Sequence, residues 1–121
     1  MTRSRRAQRH HRHPPSPTAA IGASALCYAA NCALGVATAT RLIDTRRIRW
    51  VHHALYIATI TTTALALGVA VQRDRRVAAV LSPALIPLAV IPFAGTRTRR
   101  HPAVALSAAP FIAAGVLTSR L

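Results

Sequence analysis

VHHALYIATITTTALALGVAV, residues 51–71, is a run of 21 residues without a formal charge. Arg49 and Trp50 precede it, and Gln72, Arg73, Asp74, Arg75 and Arg76 follow. A helix rises about 1.5 Å per residue, so this run is long enough to cross roughly 30 Å of hydrocarbon. Cations at both ends and an aromatic at one boundary suit the two interfaces of a bilayer. The run also carries His52, His53, Tyr56, Thr59, Thr61, Thr62 and Thr63, so one of its faces must be polar.

Outward from this run the same pattern repeats. Residues 18–40, 77–94 and 103–119 also lack Asp, Glu, Lys and Arg. The expected fold class is all-α, an integral membrane four-helix transmembrane bundle with spans near 18–40, 51–71, 77–94 and 103–119. A basic tail, residues 1–17, precedes it. The tail holds five Arg, three His and almost nothing apolar, so it is expected to stay disordered on the cytoplasmic side. Arg3, Arg5, Arg6, Arg9 and Arg12 are the candidates for contact with anionic lipid headgroups, each worth about 1 kcal/mol near the surface. A basic start, an apolar run and Ala37-Thr38-Ala39 also resemble a cleaved signal, and Ser4-Arg5-Arg6 resembles a twin-arginine start. The apolar run exceeds a signal core, and HHRHPPSP separates it from the arginines, so a retained first span is expected.

The net charge is +14 over 121 residues. In a soluble domain this would point to nucleic acid. Here all 16 basic residues are Arg, and they fall in residues 3–12, 41–49, 73–76, 97–100 and at 120, outside the four uncharged runs. That confinement is how a membrane protein distributes charge, and no nucleic-acid partner is expected. The Arg-only, Ala-rich composition suggests a GC-rich bacterial genome, hence a bacterial cell membrane. Cys27 and Cys32 stand about 140° apart around a helix and cannot pair within it. Without CxxC or Cys/His spacing they indicate neither a disulfide framework nor structural zinc.

The connections are short and basic. Asp44 has Arg41, Arg46 and Arg47 as neutralising neighbours in the first, expected over residues 41–50. QRDRR, residues 72–76, is a tight polar turn that makes its flanking helices antiparallel neighbours. Residues 95–102, GTRTRRHP, form the third. Pro83, Pro87 and Pro92 in the third span each remove a backbone donor and bend the helix, with Ser82 a local candidate to satisfy a freed carbonyl. Pro110 interrupts the fourth.

With four spans both ends share a side. That side receives Arg3, Arg5, Arg6, Arg9, Arg12, Arg73, Arg75, Arg76 and Arg120, nine in all, against seven for the other: Arg41, Arg46, Arg47, Arg49, Arg97, Arg99 and Arg100. The first segment commonly dominates, so both termini are expected in the cytoplasm. The near balance leaves dual topology and an antiparallel dimer open.

Two polar stripes stand out. His52, Tyr56, Thr59 and Thr63 share one face of the second span by their +4, +3, +4 spacing. Ser24, Tyr28, Asn31, Gly35 and Thr38 show the same rhythm on the first. In lipid such faces turn toward protein, and small residues such as Gly35 let backbones approach. The stripes are expected to face each other or a shared interior. His52, His53 and His101 fall at one interface by topology alone. Haem ligation by a pair of them is conceivable, but helix-end histidines meeting water are the expectation. His10, His11 and His13 have no partner ligands around them, so no metal site and no cofactor are expected.

No uncharged run contains a carboxylate, the usual carrier of proton-coupled transport. In size and span count the chain is similar to small multidrug resistance exporters and to small dual-topology fluoride channels. It lacks the first-span glutamate of the former and the Gly- and Asn-bearing motifs of the latter. Nothing matches a phosphate loop, a nucleophile elbow, HEXXH or a Ser-His-Asp grouping, so no catalytic residue is expected. The first expectation is a non-enzymatic structural or accessory membrane subunit, a homodimer or part of a larger membrane complex. The alternatives are a small dimeric channel or transporter lined by the two stripes, and a haem- or quinone-binding subunit.

Overall fold

A computed structural model describes residues 15–43, 45–94 and 100–121. The tail arginines at 3, 5, 6, 9 and 12 lie outside the described residues, as does Asp44. The chain is all-α, a bundle of four long helical spans, and no strand occurs among the described residues.

The first span is α1 (Pro17–Ala39). Ser16 caps it, its Oγ accepting from the Ala19 N–H at 3.2 Å, and Pro17 opens the first turn, where its missing donor costs nothing. Its far end closes differently. Leu42 N–H bonds back to Ala37 O at 3.0 Å and Arg41 N–H to Thr38 O at 3.2 Å, with Arg41 at φ 58°. That is the Schellman pattern, with arginine where glycine is usual.

The second span is α2 (Thr45–Arg73). The helix begins well before residue 51, so most of the expected 41–50 connection is helix: the basic run Arg46 to Trp50 forms its opening turns rather than a loop. Arg46, Arg49 and Trp50 are exposed on these opening turns, which suits a helix end that extends past the hydrocarbon. Asp74 then makes the tight turn. It is the cap of α3 (Arg75–Leu81), its Oδ1 accepting from Arg76 N–H at 3.0 Å and Val77 N–H at 3.4 Å.

The third span is not one helix. α3 gives way to a 3₁₀ turn at Ser82–Ala84, then α4 (Leu85–Val90), then a second 3₁₀ turn at Ile91–Phe93. Pro83 and Pro92 sit inside the two turns, so the segmentation follows the prolines. The fourth span divides likewise into α5 (Arg100–Ser107) and α6 (Ala109–Thr118), with Pro110 just past the break.

The four candidate membrane crossings are Pro17–Ala39, Arg49–Arg73, Arg75–Phe93 and Arg100–Thr118, each long and apolar enough to span. The Thr18 hydroxyl donates to Ser119 O at 3.0 Å, closing the first span on the fourth at one end of the bundle. Ile21, Val77, Leu81 and Leu88 are fully buried at the centre. Outside are Leu26, Ile86, Phe93, Leu106 and Leu117, all exposed. The only buried polar residues among those described are hydroxyls: Ser24, Thr59 and Thr63. Large apolar groups outward and hydroxyls inward is a distribution suited to lipid, where exposure of Leu costs nothing and exposure of a polar group does.

Glycine placement differs from the sequence expectation. A Cβ on Gly35 would meet nothing within 4 Å, so Gly35 does not mediate a close approach. Gly115 does: a Cβ there would lie 3.3 Å from Leu81 Cδ1, so the third and fourth spans meet across this position.

Candidate functional site

The most chemically distinctive region is the polar seam inside the bundle. Its centre is a hydroxyl relay between α1 and α2. Thr63 Oγ1 donates to Thr59 O one turn back, at 2.8 Å, which uses its only hydrogen. The 2.7 Å contact between Ser24 Oγ and Thr63 Oγ1 is therefore donated by Ser24. Thr59 donates to Leu55 O at 2.7 Å, and Thr62 to Ala58 O at 2.7 Å. These are the usual back-bonds of helical threonine, which hide the hydroxyl hydrogen from lipid. Thr38, toward the far end of α1, donates to Gly35 O at 2.9 Å and reaches no other span.

The two tyrosines reach past the α1–α2 pair. Tyr56 donates to Leu88 O at 3.0 Å. In an unbroken helix that carbonyl accepts from the residue four positions on, which here is Pro92 and has no N–H. The phenol thus supplies the donor that the proline withdrew. Tyr28 donates to Ala105 O at 2.6 Å. That carbonyl lies in the turn opened before Pro110, where Ala108 N–H reaches it only at 3.3 Å. Ser82 acts the same way within its own span. Its Oγ donates to Ala79 O at 3.2 Å, the carbonyl four residues before Pro83. Two of the proline breaks are therefore repaired by named hydroxyls, Ser82 within its own span and Tyr56 from a neighbouring one.

Among the stripe residues, the structure brings Ser24 into contact with Thr63. It directs Tyr28 to the fourth span and Tyr56 to the third. Asn31 stands apart: its Oδ1 is buried with no hydrogen-bond partner. His52 is half-buried, and its ring faces His101 of α5 with centroids 6.1 Å apart and planes inclined by 52°. His53 is exposed. His101 Nδ1 is buried and has no partner.

Two further features bear on ligands. A groove of about 450 Å³ lies between α1 and α6, walled by Tyr28, Ala25, Ala109, Ile112, Ala113, Val116 and Leu117. It is apolar and open to the outside of the bundle. No cluster of three or more His, Cys, Asp or Glu capable of holding a metal occurs among the described residues, and both cysteines are free. Sequence reasoning missed the pairing of Tyr56 with the Pro92 break. The signal was present, since Tyr56 belongs to a stripe and Pro92 withdraws a donor, but which helix faces which is a tertiary fact. The chain is thus a small protein with four membrane-length helices whose internal polar groups mostly bond to one another. Comparison with protein-family models, with curated proteins and with solved structures finds no match for it.

Proposed function

We propose that this chain is a non-enzymatic structural or accessory subunit of a bacterial membrane, with both termini in the cytoplasm and a larger membrane complex or a second copy as its partner. The observation that carries this reading is the use of the seam's hydroxyls. Ser24, Tyr28, Tyr56, Thr59 and Thr63 all donate within the bundle, to helix carbonyls or to one another. A solute pathway keeps donors and acceptors available for its cargo, and a proton pathway keeps a carboxylate. This seam offers neither, and the groove beside Tyr28 is apolar. The arrangement supports a scaffold that holds proline-broken helices in fixed register.

Purification in mild detergent, with mass-spectrometric identification of stoichiometric partners, tests the proposal. A reproducible larger membrane partner, or a stable homo-oligomer with no solute flux in liposomes, is the expected result. Flux that is abolished by Asn31→Leu or Thr59→Val would instead establish the channel or transporter reading. Asn31 is the observation favouring that second reading, because its acceptor alone is left without a donor inside the first span.

A further inference from the structure

We propose that His52 and His101 form a two-coordinate site for monovalent copper at the end of the bundle where the second span begins. Four observations converge. The two imidazoles come from different spans, α2 and α5, and face each other with no acidic residue beside them among those described. His101 Nδ1 is buried with nothing to bond to, an orphaned nitrogen that a ligand would satisfy. The ring centres are 6.1 Å apart. Metal–nitrogen bonds of about 2 Å place the centres of two ligating imidazoles roughly 5 Å apart in a tetrahedral site and roughly 6 Å apart in a linear one. The observed spacing matches the linear distance, which applies when each ring turns one nitrogen toward the other.

The surroundings select the same ion. No third His, Cys, Asp or Glu completes a cluster here, so a zinc-like four-ligand site is not available from the described residues. Monovalent copper is satisfied by two ligands, and imidazole is among its accepted donors. Arg49, one turn before His52, and Arg100, next to His101, are both exposed cations. They oppose a divalent ion about twice as strongly as a monovalent one, since the repulsion scales with the ion's charge. Two imidazoles must be neutral to ligate, so binding is lost in acid as protons compete.

The test uses the full chain in detergent or nanodiscs, with His10, His11 and His13 changed to Ala so that the tail contributes no ligands. Cu(I) under reductant, competed against a chromogenic chelator, and Ag(I) as a redox-inert probe are the ions. The parent is expected to bind one ion per chain, with X-ray absorption showing two nitrogen ligands at about 2 Å and no sulfur. His52→Ala and His101→Ala should each weaken binding at least tenfold, whereas His53→Ala should change it less than twofold. His101→Cys, which keeps a copper ligand, should retain binding and guards against simple loss of fold. Undiminished binding in the His52→Ala/His101→Ala double variant overturns the proposal. So does sulfur in the parent's coordination shell, which would assign the ion to Cys27 or Cys32, and so does equal affinity for Zn(II).

Discussion

Asn31 and His101 are the two residues among those described that keep a buried side-chain polar atom without a partner, and Asn31 lies within a span. A buried acceptor without a donor costs about 1–3 kcal/mol, and an apolar side chain of similar size avoids that cost. Asn31→Leu is therefore expected to raise stability by about 1 kcal/mol, measured by reversible SDS unfolding in mixed micelles. A loss of stability would mean that the carboxamide bonds to something outside this chain. Arg41 is a second local exception. Its φ of 58° is a left-handed conformation that costs a side-chain-bearing residue about 1 kcal/mol, and glycine adopts it freely. Arg41→Gly should therefore stabilise by up to about 1 kcal/mol in the same assay. The start of α1 was expected at residue 18 with Ser16 and Pro17 in the tail; the helix instead begins at Pro17 with Ser16 as its cap. The left-handed Arg41 was not legible, because nothing in Ala39-Thr40-Arg41-Leu42 favours that conformation; the six-to-one bond from Leu42 imposes it.

At the scale of elements, the proline breaks organise the third and fourth spans, and Tyr56 of the second compensates for the one at Pro92. This makes a coupled prediction. Tyr56→Phe removes the hydroxyl donor to Leu88 O and should cost about 0.6–1.7 kcal/mol, the range for side-chain hydrogen bonds inside membrane bundles. In a Pro92→Ala background the new Ala N–H can take that carbonyl, and the same Tyr56→Phe change should cost nearly nothing. A double-mutant cycle in the unfolding assay measures the difference, and equal costs in both backgrounds would refute the pairing. The sequence displayed the prolines and the tyrosines but not their assignment. Helical periodicity fixes which residues share a face, whereas the facing partner depends on crossing positions between spans. The same limit explains the glycines. Gly35 lies on the polar rhythm of α1 yet meets open space, while Gly115, in an Ala-rich run with no distinguishing pattern, is where the fourth span approaches Leu81.

For the whole molecule, the span count and all-α class were legible because charge and apolarity alternate along the chain in blocks longer than any soluble core helix requires. Orientation was legible only weakly, because it depends on a difference between two similar sums. The bond from Thr18 to Ser119 puts the start of the first span and the end of the fourth at one face, so the arginines of the second turn share that face as well. If that face is cytoplasmic, it carries nine Arg against seven, and Arg73, Arg75 and Arg76 supply the margin. These three are exposed, and Asp74 rather than any of them caps α3, so they can be changed without dismantling the turn. Replacing all three with Gln leaves six on that side against an unchanged seven. Since Lys and Arg in short loops set insertion orientation and acidic residues contribute little, the variant should insert in mixed or inverted orientation. Single cysteines introduced at Ser16 and Leu121, in a Cys27→Ser/Cys32→Ser background, report this directly. Impermeant maleimide added to intact cells should leave both positions unlabelled in the parent and label both in a substantial fraction of the Gln variant. Labelling of both positions in a fraction of the unaltered parent would instead show that nine against seven is already too small a bias, and that the chain inserts both ways.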